Sequence, residues 1–333
     1  MNILLTLDYE VFFGRNTGTI ERTLLQPSDA LCRIARRYGV PLVFFVDIGF
    51  VLRLYEEGQR FPPLMRQYDA VMKQLEDFVA SGHELQLHVH SHWEDSRWNG
   101  ENWDVDTRRY RLHDFDSAGV LDILRRYTHG LRELTGGRDV FAFRAGGWVI
   151  QPFTQIGTQL REVGICIDST VFAGGTSDSE THQFDFSRCP NDSRWFFKDD
   201  PLVPTPAGDL LEVPIASIQL SPLFYWRLAL AKKLGGALHH SIGDGKAIAL
   251  SRNDMLRKMS RWTTSVVSMD GYKASFLEHA FAQYKKEEKT DFVVIGHPKA
   301  LSRYSLQMLE NFLERHKTEK FVGYGAYLDL FPS

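Results

Sequence analysis

Short runs of β-branched and aromatic residues alternate along the chain with longer stretches in which apolar positions recur every three or four residues. NILLTLD (2–8) reads as a strand. SDALCRIARRYG (28–39) reads as a helix whose Leu31, Ile34 and Ala35 share a face and whose Gly39 supplies the stop. PLVFFVD (41–47) is a second strand. PPLMRQYDAVMKQLEDFVASG (62–82) then places Leu64, Tyr68, Val71, Met72, Leu75 and Val79 on one stripe, again closed by a glycine. HELQLHV, a helix near 116–135, VFAFRAGG, a helix near 152–163, ICIDSTV and LLEVPIA follow. A long helical region, FVVIGH, a helix near 301–316 and FVGYGAYLDL complete the series. This βαβα repetition predicts an α/β fold with a parallel sheet covered by helices, and seven or eight strands favour a closed or slightly open barrel. Residues 1–333 read as one domain, with 218–290 an extended helical insertion between late strands.

Polar residues fall at informative places in this pattern. Asp8, His88, Arg144, Asp168 and His297 each lie at or just past the C-terminal end of a predicted strand, the end at which such barrels build their sites. The stretch GHELQLHVHSHW (82–93) carries four histidines. It is not a metalloprotease helix, because the position four after His83 is Leu87 and His88 comes one residue too late. From Glu84 to His90 polar and apolar residues alternate with the period of a strand, polar groups inward. If the strand ends at His88 and turns tightly, His88 and His92 form an H-x3-H pair with zinc-like spacing, leaving His83 and His90 structural or standing behind the ligands. A solvated histidine-rich turn is the plainer reading of the stretch alone.

Composition narrows the partners. Thirty-nine Lys and Arg against 42 Asp and Glu give a net charge of −3, without the footprint of a nucleic-acid binder. Cys32, Cys166 and Cys189 form no CxxC pair and read as reduced thiols. The run VPLVFFVDIGFVL is too short to span a membrane and contains Asp47, and no basic leader precedes the first strand, so a cytoplasmic location is expected. SPLFYWRLALAKKLGGALHH (221–240) joins aromatic and basic residues as an interfacial helix would, although a buried helix with Lys232 and Lys233 on its solvated side is the plainer expectation. Membrane contact is expected to be peripheral at most.

The motifs resemble, in order, those of the polysaccharide deacetylases, the NodB-homology carbohydrate esterases. LLTLDYE is similar to their T-F-D-D motif, GHELQLHVHSH to their histidine motif and FRAGGW to their R-x-P-Y motif. IDST is similar to the fourth and VVIGHP to the last, so the matches span roughly residues 3–298. The TLDYE and RAGGW forms resemble a cytoplasmic WbmS-like branch of O-antigen synthesis. The resemblance implies a deformed (β/α)7 barrel and metal-assisted removal of an N-acetyl group from an amino sugar, free, nucleotide-linked or lipid-linked. It implies Asp8 as general base, Arg144 holding that base ionised, His297 as the acid for the departing amine, and Asp168 orienting Arg144 or His297. One divalent ion, zinc above others, would be held by His88, His92 and a third oxygen. Backbone N–H groups near Gly146 and Gly147 would receive the oxyanion.

Two departures from the family pattern bear on these roles. Its second Asp falls on Tyr9, so Glu10, two positions after Asp8 on the same side of a strand, is the expected third ligand. The alternatives are that Glu10 stands behind the ligands or that the site is metal-free. RAGGW lacks the Pro-Tyr pair, and Trp148 either lines the sugar site or packs in the core. Trp93, Trp98 and Trp103 on the loop after His92 suit a sugar face or a lid on the barrel rim. A hydrolase of another C–N bond, such as a formamide or cyclic ureide, and a non-catalytic carbohydrate-binding barrel are the competing functions.

Overall fold

The computed structural model describes residues 1–14, 16–137, 140–179, 181–246 and 252–331. The strands are β1 (Asn2–Tyr9), β2 (Val43–Asp47), β3 (Glu84–Val89), β4 (Arg97–Trp98), β5 (Trp103–Asp104), β6 (Ala142–Ala145), β7 (Ile167–Asp168) and β8 (Thr176–Asp178). They continue with β9 (Gln183–Asp185), β10 (Trp195–Phe197), β11 (Leu210–Glu212), β12 (Ser217–Leu220), β13 (Thr263–Val266), β14 (Asp291–Gly296) and β15 (Lys320–Phe321). The helices are α1 (Gln26–Tyr38), α2 (Ile48–Gly58), α3 (Pro62–Ala80), α4 (Ser117–Leu134) and α5 (Gly157–Glu162). After them come α6 (Pro222–Leu234), α7 (Gly236–His239), α8 (Arg252–Ser260), α9 (Leu277–Lys286) and α10 (Arg303–Arg315).

Seven strands run parallel in the order β11-β7-β6-β3-β2-β1-β14, with β10 added antiparallel at one edge and β15 beside the start of β1. The chain is thus an α/β protein with a deformed (β/α)7-type barrel, as expected. Between the edge strands β11 and β14 the barrel is closed by irregular backbone bonds rather than a ladder. Ala216 N–H donates to Val293 O at 2.9 Å, Val267 N–H to Ala216 O at 2.7 Å and Ile295 N–H to Val267 O at 3.1 Å.

Alternation on each strand sorts the side chains. On β1, Ile3, Leu5, Leu7 and Tyr9 belong to the apolar layer under the helices. Leu4 faces the smaller interior cluster with Val43, Phe45, Ile167 and Val293. The strand period therefore sends Thr6, Asp8 and Glu10 inward with Leu4. Tyr9 points the other way, stacking edge-on against Phe44 and Phe78 and donating its hydroxyl to Gln74 Oε1 at 2.9 Å. It cannot reach the interior, which is why the acid of this strand end comes two residues after Asp8 and not one.

Three local expectations are corrected. FVGYGAYLDL forms two residues of strand followed by a 3-10 turn over Tyr324–Leu330. Glu84 accepts the N–H groups of Tyr324 and Gly325, so this turn plugs the lower end of the barrel. In 218–290, α6, α7, α8 and α9 are accompanied by an antiparallel pairing of β12 with β13, and residues 247–251 lie outside the described residues. Nor is α6 a buried helix, since Leu223, Trp226, Leu230 and Leu234 are exposed. Among the described residues no helix is long and apolar enough to cross a membrane.

Candidate active site

At the C-terminal end of the barrel, β1, β3, β6 and β14 bring the predicted polar residues together. Arg144 is wholly buried. Its Nη1 donates to Asp8 Oδ1 at 2.7 Å and Thr6 Oγ1 at 3.0 Å, Nε to Ser169 O at 2.7 Å and Nη2 to Ser169 Oγ at 3.1 Å. Its guanidinium also lies 4.0 Å above the Phe45 ring, so the cation is held on all sides. Burial alone would raise the Asp8 carboxyl, but Arg144, then His88 and His297, outweigh it and hold Asp8 below its ordinary value. Asp8 is therefore a buried carboxylate that stays ionised, with Oδ2 at 3.8 Å from His88 Nε2 and 3.6 Å from His297 Nε2.

Glu10 faces the histidines through one oxygen. Glu10 Oε2 lies against His90 Nε2 and 3.5 Å from His88 Nε2, while Oε1 accepts from Lys299 Nζ at 2.9 Å. Burial would raise this carboxyl too, yet Lys299 and His90 hold it well below the usual carboxylate range. His88 Nδ1 lies 2.8 Å from the Arg144 carbonyl, which can only accept. The Nδ1–H is thus fixed on that carbonyl. Burial would lower the imidazole, but Asp8, then Glu10, outweigh it and raise it to about 9, so Nε2 also carries a proton near neutral pH and would give it up on taking an ion.

The metal group differs from the expected one. Ligand atoms of Glu10, His88 and His90 lie within 4.8 Å of one another, and His92 is not in that group. The strand does not turn at His88. Val89 ends β3 and His90 is still extended (φ −112°, ψ 92°), so the two-residue period carries His90 to the face of His88. His92 lies in the following 3-10 turn, Ser91–Glu94, stacked on Tyr110 with ring centroids 5.6 Å apart, and burial followed by the nearby His90 pushes its pKa well down. The Glu10–His88–His90 set suits a divalent ion. Its nitrogens and oxygen are the donor types zinc accepts, and they converge on one buried point at which Glu10 Oε2 meets His90 Nε2.

His297, just past β14, is oriented by a carboxylate that the sequence reading did not single out. Its Nδ1 lies 2.7 Å from Asp270 Oδ2 and its N–H donates to Asp270 Oδ1 at 2.8 Å. Burial would lower the imidazole, but Asp270, then Asp8 and Glu10, raise it, favouring the protonated ring with Nε2–H toward the site. Asp168 performs neither expected orienting task by direct contact. It accepts from Thr170 Oγ1 at 2.7 Å and Thr170 N–H at 3.1 Å, and Thr170 Oγ1 in turn accepts from Ala145 N–H at the end of β6.

The glycines of RAGGW have a steric role. A Cβ on Gly146 would sit 2.6 Å from Val89 O and 2.7 Å from His90 Nδ1, so only glycine lets β6 end against the metal-group histidine. Gly147 and Trp148 both adopt φ of +60°, turning Trp148 onto Phe172 and Phe184. Trp93 is buried, donates Nε1–H to Asp47 Oδ2 at 2.7 Å and packs on Phe50 and Trp103, so it offers no face to a sugar. Asp47, inward at the end of β2, has its carboxyl raised to about 6 by burial and was legible only as a break in an apolar run. Over the histidines lies Phe13, from the loop after β1, with ring centroids 5.4 Å from His90 and 5.8 Å from His92. A separate groove of about 1080 Å³, lined by Arg111, Gln151, Phe184 and Asp200 among others, includes none of these site residues.

No family model and no curated protein matches the chain. Several solved structures share its fold. A protein described as a polysaccharide deacetylase from Mycobacterium smegmatis is 16% identical over 92% of this chain and 77% of that one, with a TM-score of 0.50. The Puue allantoinase is 16% identical over 98% of this chain and 88% of its own, also at 0.50. A 4-alpha-glucanotransferase from Thermococcus litoralis is 12% identical over 99% of this chain but 40% of its own, at 0.52. At such identities the likeness is one of fold, and a polysaccharide deacetylase and an allantoinase share the barrel on which this chain places its carboxylates and histidines.

Proposed function

We propose that this chain is a hydrolase of a non-peptide C–N bond, removing the N-acetyl group from an amino sugar used in surface-polysaccharide assembly. The observation that carries this reading is the convergence of three groups on one barrel end: Asp8 with Arg144, Glu10 with His88 and His90, and His297 with Asp270. In this reading Asp8 accepts a proton from the attacking water as the new C–O bond forms. His297 then gives its Nε2 proton to the amine nitrogen as the C–N bond breaks, leaving acetate and a free amine. Glu10, His88 and His90 would hold a divalent ion, which supplies Lewis acidity and brings the pKa of a water down to about 7. The N–H groups of Gly146 and Gly147, in the turn against His90, are the oxyanion donors, and Trp148 borders the substrate. A protein described as a polysaccharide deacetylase is among the similar folds, which agrees with this chemistry.

A second reading rests on Lys299. Its ammonium already neutralises Glu10 from within the site, bonding Oε1 at 2.9 Å and Val11 O at 2.8 Å. A resident cation fits metal-free hydrolysis of another C–N bond, such as the cyclic ureide cleaved by an allantoinase. One experiment separates the readings. Amine and acetate release is followed across nucleotide-linked and lipid-linked N-acetyl sugars, before and after chelation. Turnover abolished by chelation and restored by zinc supports the first reading. Undiminished turnover after chelation removes the metal from it, and cleavage of ureides alone removes the sugar.

A further inference from the structure

We propose that α6, α7 and α8 form a docking surface for an anionic lipid bilayer. On α6, Leu223, Trp226, Leu230 and Leu234 recur at steps of three and four and so share one stripe. The stripe faces outward, with Trp226 53% and Leu234 73% exposed, while the opposite side packs Phe224 against Tyr272 and Phe276. A surface helix ordinarily turns its leucines inward. Here the inward side is already filled by aromatic residues and a second apolar face is left outside. α7 adds Leu238, and α8, tied to α6 by Trp226 Nε1 donating to Met259 O, adds Met255 and Leu256, with Trp262 just beyond at 67% exposed. Apolar exposure contiguous over three helices is more than scattered surface leucines produce.

Charge selects the occupant. The sequence from Ser221 to Trp262 holds eight Lys and Arg against two Asp, although the whole chain is at −3. At 100° per residue Arg227 borders one edge of the α6 stripe and Lys233 the other, the arrangement in which basic heads reach phosphate groups while their stems lie on the acyl boundary. Tryptophans at the rim suit the same depth. A second copy of the chain would set these cations against their own kind, so like charge disfavours a two-fold dimer through this face. The surface also lies beside the site: Tyr272, against which α6 packs, follows two residues after the Asp270 that holds His297. Asp244, beyond α7, accepts from Thr19 N–H at 2.8 Å and Thr19 Oγ1 at 2.9 Å, fastening the loop that lays Phe13 over the histidines.

The test needs no substrate, so its failure leaves the proposed reaction untouched. The full chain is sedimented with vesicles of phosphatidylglycerol and phosphatidylcholine in equal parts, and with phosphatidylcholine alone. It should pellet with the first and not the second, release in high salt, and shift its tryptophan emission to the blue. Arg227→Glu with Lys233→Glu should weaken binding at least about tenfold, since each basic residue near such a surface contributes roughly fivefold. Leu230→Glu with Leu234→Glu, which alters only exposed positions, should do the same with the circular dichroism spectrum unchanged. Failure to pellet with anionic vesicles overturns the proposal, as does binding that both double variants retain. A concentration-dependent dimer dissolved by Leu230→Glu with Leu234→Glu, without vesicle binding, would assign the face to a second copy instead.

Discussion

His90 and His92 differ by two positions and by the geometry of the backbone between them, and that difference decides which of them joins Glu10 and His88 in a group that could hold a metal ion. His90 continues the strand period of His88, whereas His92 has entered a 3-10 turn and stacks on Tyr110. His90→Ala should therefore weaken zinc or cobalt binding by at least roughly tenfold, while His92→Ala leaves it nearly unchanged, as isothermal titration of the apoprotein would measure. The reverse order would restore His92 as the ligand. Asp270→Asn tests the other end of the site. With its carboxylate gone, His297 loses both its orientation and the charge that favours its proton, so amide turnover should fall on the order of tenfold to a hundredfold. A nitrophenyl acetate, whose leaving group needs no proton, should be spared most of that loss. Equal loss on both substrates would make Asp270 a support of the fold instead. Asp8, Glu10, His88, Arg144 and His297 were legible in the sequence because each sits at a strand end, where a two-residue period tells inward from outward. Asp270 and Lys299 were not. Asp270 lies in a segment that runs beside β14 only through isolated backbone bonds, and Lys299 enters through the 3-10 turn after His297.

Among the elements, the strands and long helices followed their apolar periods, and the departures came where glycine or a buried carboxylate overrode the pattern. FVGYGAYLDL has the apolar content of a strand, but Glu84 takes up the N–H groups of Tyr324 and Gly325 and bends it into a plug. α6 was misjudged because apolar residues fall on two of its faces, and the sequence alone does not reveal which of the two is covered. At the meeting of β3 and β6 the constraint is steric. A methyl group on Gly146 would be 2.6 Å from Val89 O, backbone that cannot move without pulling His90 with it. Gly146→Ala should cost about 1–3 kcal/mol of stability through overpacking and weaken metal binding in parallel, seen as a lower melting temperature and a lower titration affinity in one variant. A variant that binds metal as tightly as the parent would show that the two strand ends have slack.

Across the whole molecule, the barrel wall holds one pairing, β7 with β11, at which two buried carboxyl groups stand side by side. Asp168 and Glu212 are register partners, both buried. Asp168 accepts two bonds from Thr170, whereas burial, then Asp168 itself, pushes the Glu212 carboxyl well above its ordinary value. The shift favours the protonated Glu212 carboxyl in the folded chain, beside Asp168, over the ionised form that the unfolded chain takes above its ordinary value. A carboxyl raised in this way contributes stability that is complete below its unfolded pKa, 4.5 for Glu, and is lost as pH rises toward the folded value. Glu212→Gln keeps a donor at nearly the same place and removes the titration. The stability of the variant relative to the parent should therefore grow with pH above 4.5, by at most about 1.4 kcal/mol per pH unit. Taking the difference between the two proteins in urea unfolding at each pH cancels the other titrating groups, including His83, which burial pushes down to about 4. A difference that stays flat from pH 5 to pH 8 would mean that Glu212 is ionised in the barrel wall, and that its charge is met by a partner other than Asp168.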